Sequence, residues 1–133
     1  MRAFSIFLLW LTLCADANDW PQWRFGPGRG AVSPHALPAE LHLQWTRQLP
    51  KAAPAWPASQ PKLQFDLAPE PVAANGKLFV PSSANDTLTA YDTKTGKRLW
   101  RFFAEAPIRF APVATKGRVW FGSDDGHLYC LNA

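Results

Sequence analysis

Few side chains in this chain are spaced for chemistry. Cys130 is a thiol that could act as a nucleophile. However, it falls within an apolar run, Leu128-Tyr129-Cys130-Leu131, where a buried Cys behaves as a small hydrophobe. Asp124-Asp125-Gly126 puts two carboxylates side by side. Calcium needs several further oxygen ligands, and none stands at loop spacing, so the pair reads as turn chemistry. His35, His42 and His127 are dispersed, with no carboxylate or cysteine at ligand spacing, which argues against zinc. Neither a Gly-rich phosphate loop nor a Cys-x-x-Cys-His haem attachment occurs. Asn85-Asp86-Thr87 fits the N-glycosylation pattern but reads as a turn. No catalytic, cofactor-binding or metal-ligating residue is assigned.

The informative chemistry is conformational, and a repeat carries it. Pro71-Val72-Ala73 recurs as Pro112-Val113-Ala114, and Lys77-Leu78-Phe79-Val80 as Arg118-Val119-Trp120-Phe121, at an offset of 41. After a one-residue difference in the loop, Leu88, Ala90 and Asp92 recur as Leu128, Cys130 and Asn132, at an offset of 40. A period near forty with short strands is that of a propeller blade. Asn75-Gly76 is a two-residue hairpin signal, with Lys116-Gly117 as its weaker counterpart. The run Leu78-Phe79-Val80 is apolar on both faces, as suits a sheet held between neighbours.

Within the first repeat, residues 90–100 read Ala-Tyr-Asp-Thr-Lys-Thr-Gly-Lys-Arg-Leu-Trp. Asp92 can bond the backbone two residues on, and Gly96 can take a positive φ, so a tight turn joins two antiparallel strands. A small residue, a turn and an indole at fixed offsets suit a Trp lying flat against a small side chain on an adjacent sheet. Ala90, Asp92, Thr95, Gly96 and Trp100 fill every specified position of Ala-x-Asp-x-x-Thr-Gly-x-x-x-Trp. This resembles the tryptophan-docking motif of pyrroloquinoline-quinone (PQQ)-type β-propellers. The resemblance implies a structural docking role for Ala90, Asp92, Thr95, Gly96 and Trp100, with Cys130 in the small-residue slot of the second repeat.

Residues 1–17 read as a signal peptide: Met1-Arg2 is the positive start, an apolar core follows, and Ala15-Asp16-Ala17 is a small-x-small cleavage site. The apolar run is too short to span a bilayer, so no transmembrane span is expected after cleavage. A lipid anchor at Cys14 is not expected, because Leu13 stands where such signals want a small residue. Cleavage after Ala17 leaves 116 of the 133 residues and a single cysteine, and implies a periplasmic or secreted protein. Removing Arg2 and Asp16 takes 14 basic and 10 acidic residues to 13 and 9, still +4. That charge is spread without a basic run, which excludes a nucleic-acid surface.

Thirteen prolines, seven tryptophans and nine phenylalanines, with no helical periodicity, predict an all-β chain. Residues 18–40 form a Trp/Pro/Gly-rich entry segment, whose Trp20 and Trp23 plug the side of the fold or offer a stacking platform. It resembles the segment that precedes the first blade of exported propellers of this type. Residues 41–49 alternate Leu41, Leu43 and Trp45 against His42, Gln44 and Thr46, as an outer-type strand does. In propellers of this family such a strand often completes the last blade. Residues 50–69 are a Pro-rich linker. Residues 70–109 make one four-stranded antiparallel blade and 110–133 most of a second. The expectation is a partial β-propeller, the N-terminal fragment of a larger one, with open edges and poor stability alone. A sharp cooperative melt of dilute monomer would count against that.

The resemblance implies a non-catalytic exported propeller that serves as a binding or assembly scaffold, as in the outer-membrane assembly propellers. Its partners would be the remaining blades or another protein. Enzyme status is left open, though the chain reads more readily as no enzyme. The alternative is the N-terminal part of a PQQ-dependent quinoprotein dehydrogenase oxidising alcohols or sugars, and only there would PQQ and calcium be required. The Cys-Cys pair, the calcium set and the catalytic Asp of such enzymes have no counterparts in these residues.

Overall fold

A computed structural model describes residues 19–51, 59 and 68–133. The signal-peptide and lipidation readings, with Cys14, and the linker aromatics Trp56 and Phe65 lie outside the described residues. The described part is all-β. Strands β1 (Val72–Ala74), β2 (Lys77–Ser82), β3 (Thr87–Asp92) and β4 (Arg98–Phe103) form a four-stranded antiparallel meander. Strands β5 (Val113–Thr115), β6 (Arg118–Gly122) and β7 (Leu128–Asn132) form a second sheet of three.

The turns follow from residue type. Asn75 and Gly76 both take positive φ (52° and 72°), the two-residue hairpin whose twist matches its flanking strands. Lys116 and Gly117 repeat it at 49° and 73°. Register is then set by alternation: Phe79 faces Ala90 and Pro81 faces Leu88 across β2 and β3, and Ala90 faces Trp100 across β3 and β4. A one-residue slip would turn each of these side chains to the opposite face.

The two sheets share one core. Val72, Phe79, Leu88 and Ala90 from the first meet Ala114, Val119 and Phe121 from the second, with Ile108 of the connection between them. Each of the larger side chains buried there is worth ~1.5–3 kcal/mol. Phe102 of β4 reaches across to Phe121 and Tyr129, at ring-centroid separations of 5.8 and 5.1 Å. Asp124, in the turn before β7, takes two hydrogen bonds from Arg109 at 2.7 and 2.9 Å, tying the β4–β5 connection to the second sheet.

The two sheets differ in their cover. β2 is buried at Phe79, Val80 and Pro81, as expected for a sheet held on both sides. β6 instead alternates exposed and buried, with Val119 and Phe121 inward and Trp120 outward. The outer face of the second sheet is therefore open.

The entry segment crosses the short inner strands of both sheets. Trp20 exchanges backbone hydrogen bonds with Ala73 of β1 (2.7 and 2.9 Å), and the Pro21 carbonyl accepts from Ala114 N–H of β5 (2.8 Å). The Asp19 carboxylate accepts from Asn75 N–H at 2.9 Å. Trp20 thus plugs the inner edge, packed edge-on against Phe25.

Candidate functional site

The most highly organised constellation is the turn between β3 and β4 and what rests on it. Asp92 Oδ1 accepts from Thr95 N–H (2.7 Å), Thr95 Oγ1–H (2.8 Å) and Lys94 N–H (3.1 Å). The Thr95 hydroxyl and N–H hold the Asp92 carboxyl below its usual range, with Lys94 assisting and partial desolvation opposing. Gly96 closes the turn at φ 66° and donates its N–H to the Asp92 carbonyl (2.9 Å). Thr93 N–H and Oγ1–H both bond the Gly76 carbonyl, at 2.9 and 3.0 Å, tying this turn to the β1–β2 hairpin.

Residues 41–49 lie across that turn. They pair with no strand among the described residues and are held by two side chains instead. The indole of Trp45 lies on Gly96, where an added Cβ would stand 2.6 Å from Trp45 Cδ2, and its Nε1–H donates to the Thr93 carbonyl at 2.8 Å. Arg47 Nε donates to the Gly96 carbonyl at 2.6 Å, with the guanidinium 5.8 Å from the Tyr91 ring. Gly96 is required twice, by its left-handed backbone and by the ring it receives.

The structure brings Asp92, Thr95 and Gly96 together in one turn and places Ala90 across the ladder from Trp100. Trp100 packs on Phe79 at 5.8 Å, toward the second sheet. The ring that meets the turn's small residue is Trp45, and that residue is Gly96. Cys130 stands apart on β7, opposite Trp120 and half-buried, with Arg118 Nη1 donating to its sulfur at 3.8 Å. Residue types alone missed the Thr93 carbonyl, Arg47 and Tyr91.

The adjacent acids work in a turn. Burial pushes the Asp125 carboxyl up, but hydrogen bonds from His127 N–H, Tyr129 O–H, Ser123 and Glu105 N–H outweigh it and hold it at about 2. The Asp125 bond correspondingly raises the Tyr129 phenol. Among the described residues no three His, Cys, Asp or Glu side chains gather as metal ligands. A cleft of about 710 Å³ lies between the entry segment and the start of β5. Its lining includes Trp23, Phe110, Arg29 and Glu70. Arg24 and Arg29 both lie 5.5 Å from the exposed Trp23 ring.

No helix among the described residues is long and apolar enough to cross a membrane. The chain matches, over residues 19–133, a PQQ-like repeat family described as outer membrane protein assembly factor BamB. A search of curated proteins returned no match.

Proposed function

Because the chain belongs to this PQQ-like repeat family, described as outer membrane protein assembly factor BamB, we propose that it is a non-catalytic, exported propeller-repeat scaffold in outer-membrane protein assembly. The family match over residues 19–133 carries this reading. The turn chemistry supports it. Asp92 and Asp125 accept from backbone N–H groups and hydroxyls, Thr95 donating both its N–H and its hydroxyl to Asp92, so all three hold turns of the fold. Ala90, Asp92, Thr95, Gly96 and Trp100 then act as a docking motif rather than a reaction centre. The chain works on the periplasmic side of its membrane after cleavage behind Ala17, and its contacts are with blades or protein partners.

Three measurements test this. Deleting the gene should lower the amount of assembled outer-membrane protein, and the mature chain should be recovered from the periplasmic fraction with Asn18 as its first residue. Unchanged outer-membrane protein, or cytoplasmic retention, would overturn the reading. Titrating the purified chain with PQQ and calcium should give no saturable absorbance change, and saturable uptake would reject the scaffold in favour of quinone chemistry.

A further inference from the structure

β4 closes the first meander, with β3 on one side and no strand on the other among the described residues. The connection that follows does not fold back over this edge. Ala104 donates its N–H inward to the Asp86 carbonyl at 2.8 Å, and the chain then runs to Ile108 in the inter-sheet core. In an antiparallel ladder the backbone groups of successive residues turn alternately toward the partner strand and away from it. With Ala104 bonded inward, Phe102 and Trp100 also turn toward β3, and the N–H and C=O of Arg101 and Phe103 point to the open side. The register shift between Ala90 and Tyr91 interrupts the alternation before Trp100, so the stretch open to pairing is short.

The charge on this edge is of one sign. β4 reads Arg-Leu-Trp-Arg-Phe-Phe, preceded by Lys97, and it holds no acidic residue. Lys97, Arg98 and Arg101 are exposed, and none is ion-paired among the described residues. Arg101 keeps one tie to its own sheet, from Nε to Thr89 Oγ1 at 3.1 Å. The register sets Arg98, Arg101 and Phe103 opposite Tyr91, Thr89 and Thr87, so both arginines share one face of the sheet with Phe103. Like charges directly across a ladder repel and opposite charges attract. A second copy of β4 would crowd cations along the short stretch available, whereas a strand bearing carboxylates would neutralise them.

We propose that the β4 edge docks an extended acidic segment of a partner protein, which adds a strand to the first sheet. The backbone groups of Arg101 and Phe103 bond the incoming strand, and its carboxylates meet Arg98 and Arg101 on the face that carries Thr87, Thr89 and Tyr91. This rests on the scaffold reading for its setting and gives that reading a surface and a partner chemistry. Binding to the purified chain is a separate measurement from gene deletion and fractionation, so either can fail without the other.

The test is fluorescence anisotropy of a labelled peptide, Thr-Val-Thr-Glu-Thr-Glu-Thr, against the purified 133-residue chain at low salt, beside the same peptide with Lys in place of Glu. Wild type should bind the acidic peptide saturably and about tenfold more tightly than the basic one, a gap that narrows as salt is added. Arg101→Glu should reverse the preference. Arg98→Glu, at a side chain with no hydrogen bond among the described residues, should narrow it while the ladder stays intact. Phe103→Pro removes one outward N–H, a change that an edge strand accommodates, and Phe103→Ala removes the ring but keeps that donor. The proline variant should bind the acidic peptide roughly two- to tenfold more weakly than the alanine variant, the factor of one net hydrogen bond, with an unchanged β-sheet circular dichroism spectrum. Wild type without saturable binding, equal affinity for the two peptides, or a proline variant that binds as tightly as the alanine variant would overturn the proposal.

Discussion

Gly96 concentrates two constraints in one residue. Its backbone sits at φ 66°, where an L-side chain costs about 1–2 kcal/mol. Its missing Cβ is the space into which Trp45 is pressed. Gly96→Ala should therefore cost more than the backbone strain alone, because backbone on one side and a rigid indole on the other leave the methyl nowhere to go. The expected outcome is a destabilisation of about 2 kcal/mol or more by urea unfolding, with Trp45 released to solvent. Trp45→Phe should abolish most of the accompanying fluorescence shift, and a Gly96→Ala chain as stable as wild type would refute the double constraint. Asp125 makes a pH prediction. Its folded value of about 2 lies below the ordinary 3.8, so the stability it contributes is present above 3.8 and is lost as pH falls through about 2. Asp92, lowered in the same direction, adds to this acid limb. Asp125→Asn should flatten the stability profile between these values and leave the slope above pH 5 unchanged, as followed by urea midpoints at stepped pH.

At the scale of strands and sheets, Phe79 joins the two units, since it is fully buried between them and touches Trp100. Phe79→Ala should cost ~3–5 kcal/mol. Because the cavity opens at the inter-sheet core, the loss should fall on both sheets together when followed by amide exchange at Leu88 and Val119. The strands themselves were legible in the residues: Val72–Ala74, Val113–Thr115 and Arg118–Gly122 appear where the alternation and the turn pairs place them, because Asn75-Gly76 and period-two patterning act over a few residues. The partner of the docked indole was not legible. The eleven-residue pattern names Trp100 but no ring to rest on its own Gly96, and the structure puts Trp45 there, 51 positions away along the chain. Contacts across such a loop depend on which edges are brought together, and no local propensity encodes that. Arg47 and the Thr93 carbonyl escaped for the same reason, since an arginine on a polar stretch and a backbone oxygen carry no pattern of their own.

Across the whole molecule, the entry segment is the only described piece that bonds the inner strands of both sheets, through Trp20 to Ala73 and Pro21 to Ala114. Its two indoles announced an aromatic plug, but the backbone bridging was invisible, because a Pro- and Gly-punctuated stretch shows no strand period. The consequence is unequal reliance. Among the described residues the first sheet has four strands and cover on both faces, and the second has three strands and one exposed face. A chain starting at Gln22 loses one backbone bond to β5, two to β1 and the Asp19 bond to Asn75, each neutral bond worth ~0.5–1.5 kcal/mol. The first sheet can absorb that loss within its ladder, whereas the second has less to hold it closed. Amide exchange at Val119 and Phe121 should then accelerate about five- to tenfold, the factor that one lost bond of ~1 kcal/mol or slightly more allows, while exchange at Phe79 and Ala90 changes less. Equal acceleration in both sheets would mean that the two open as one unit and that the inter-sheet core, rather than the entry segment, sets the weakest point.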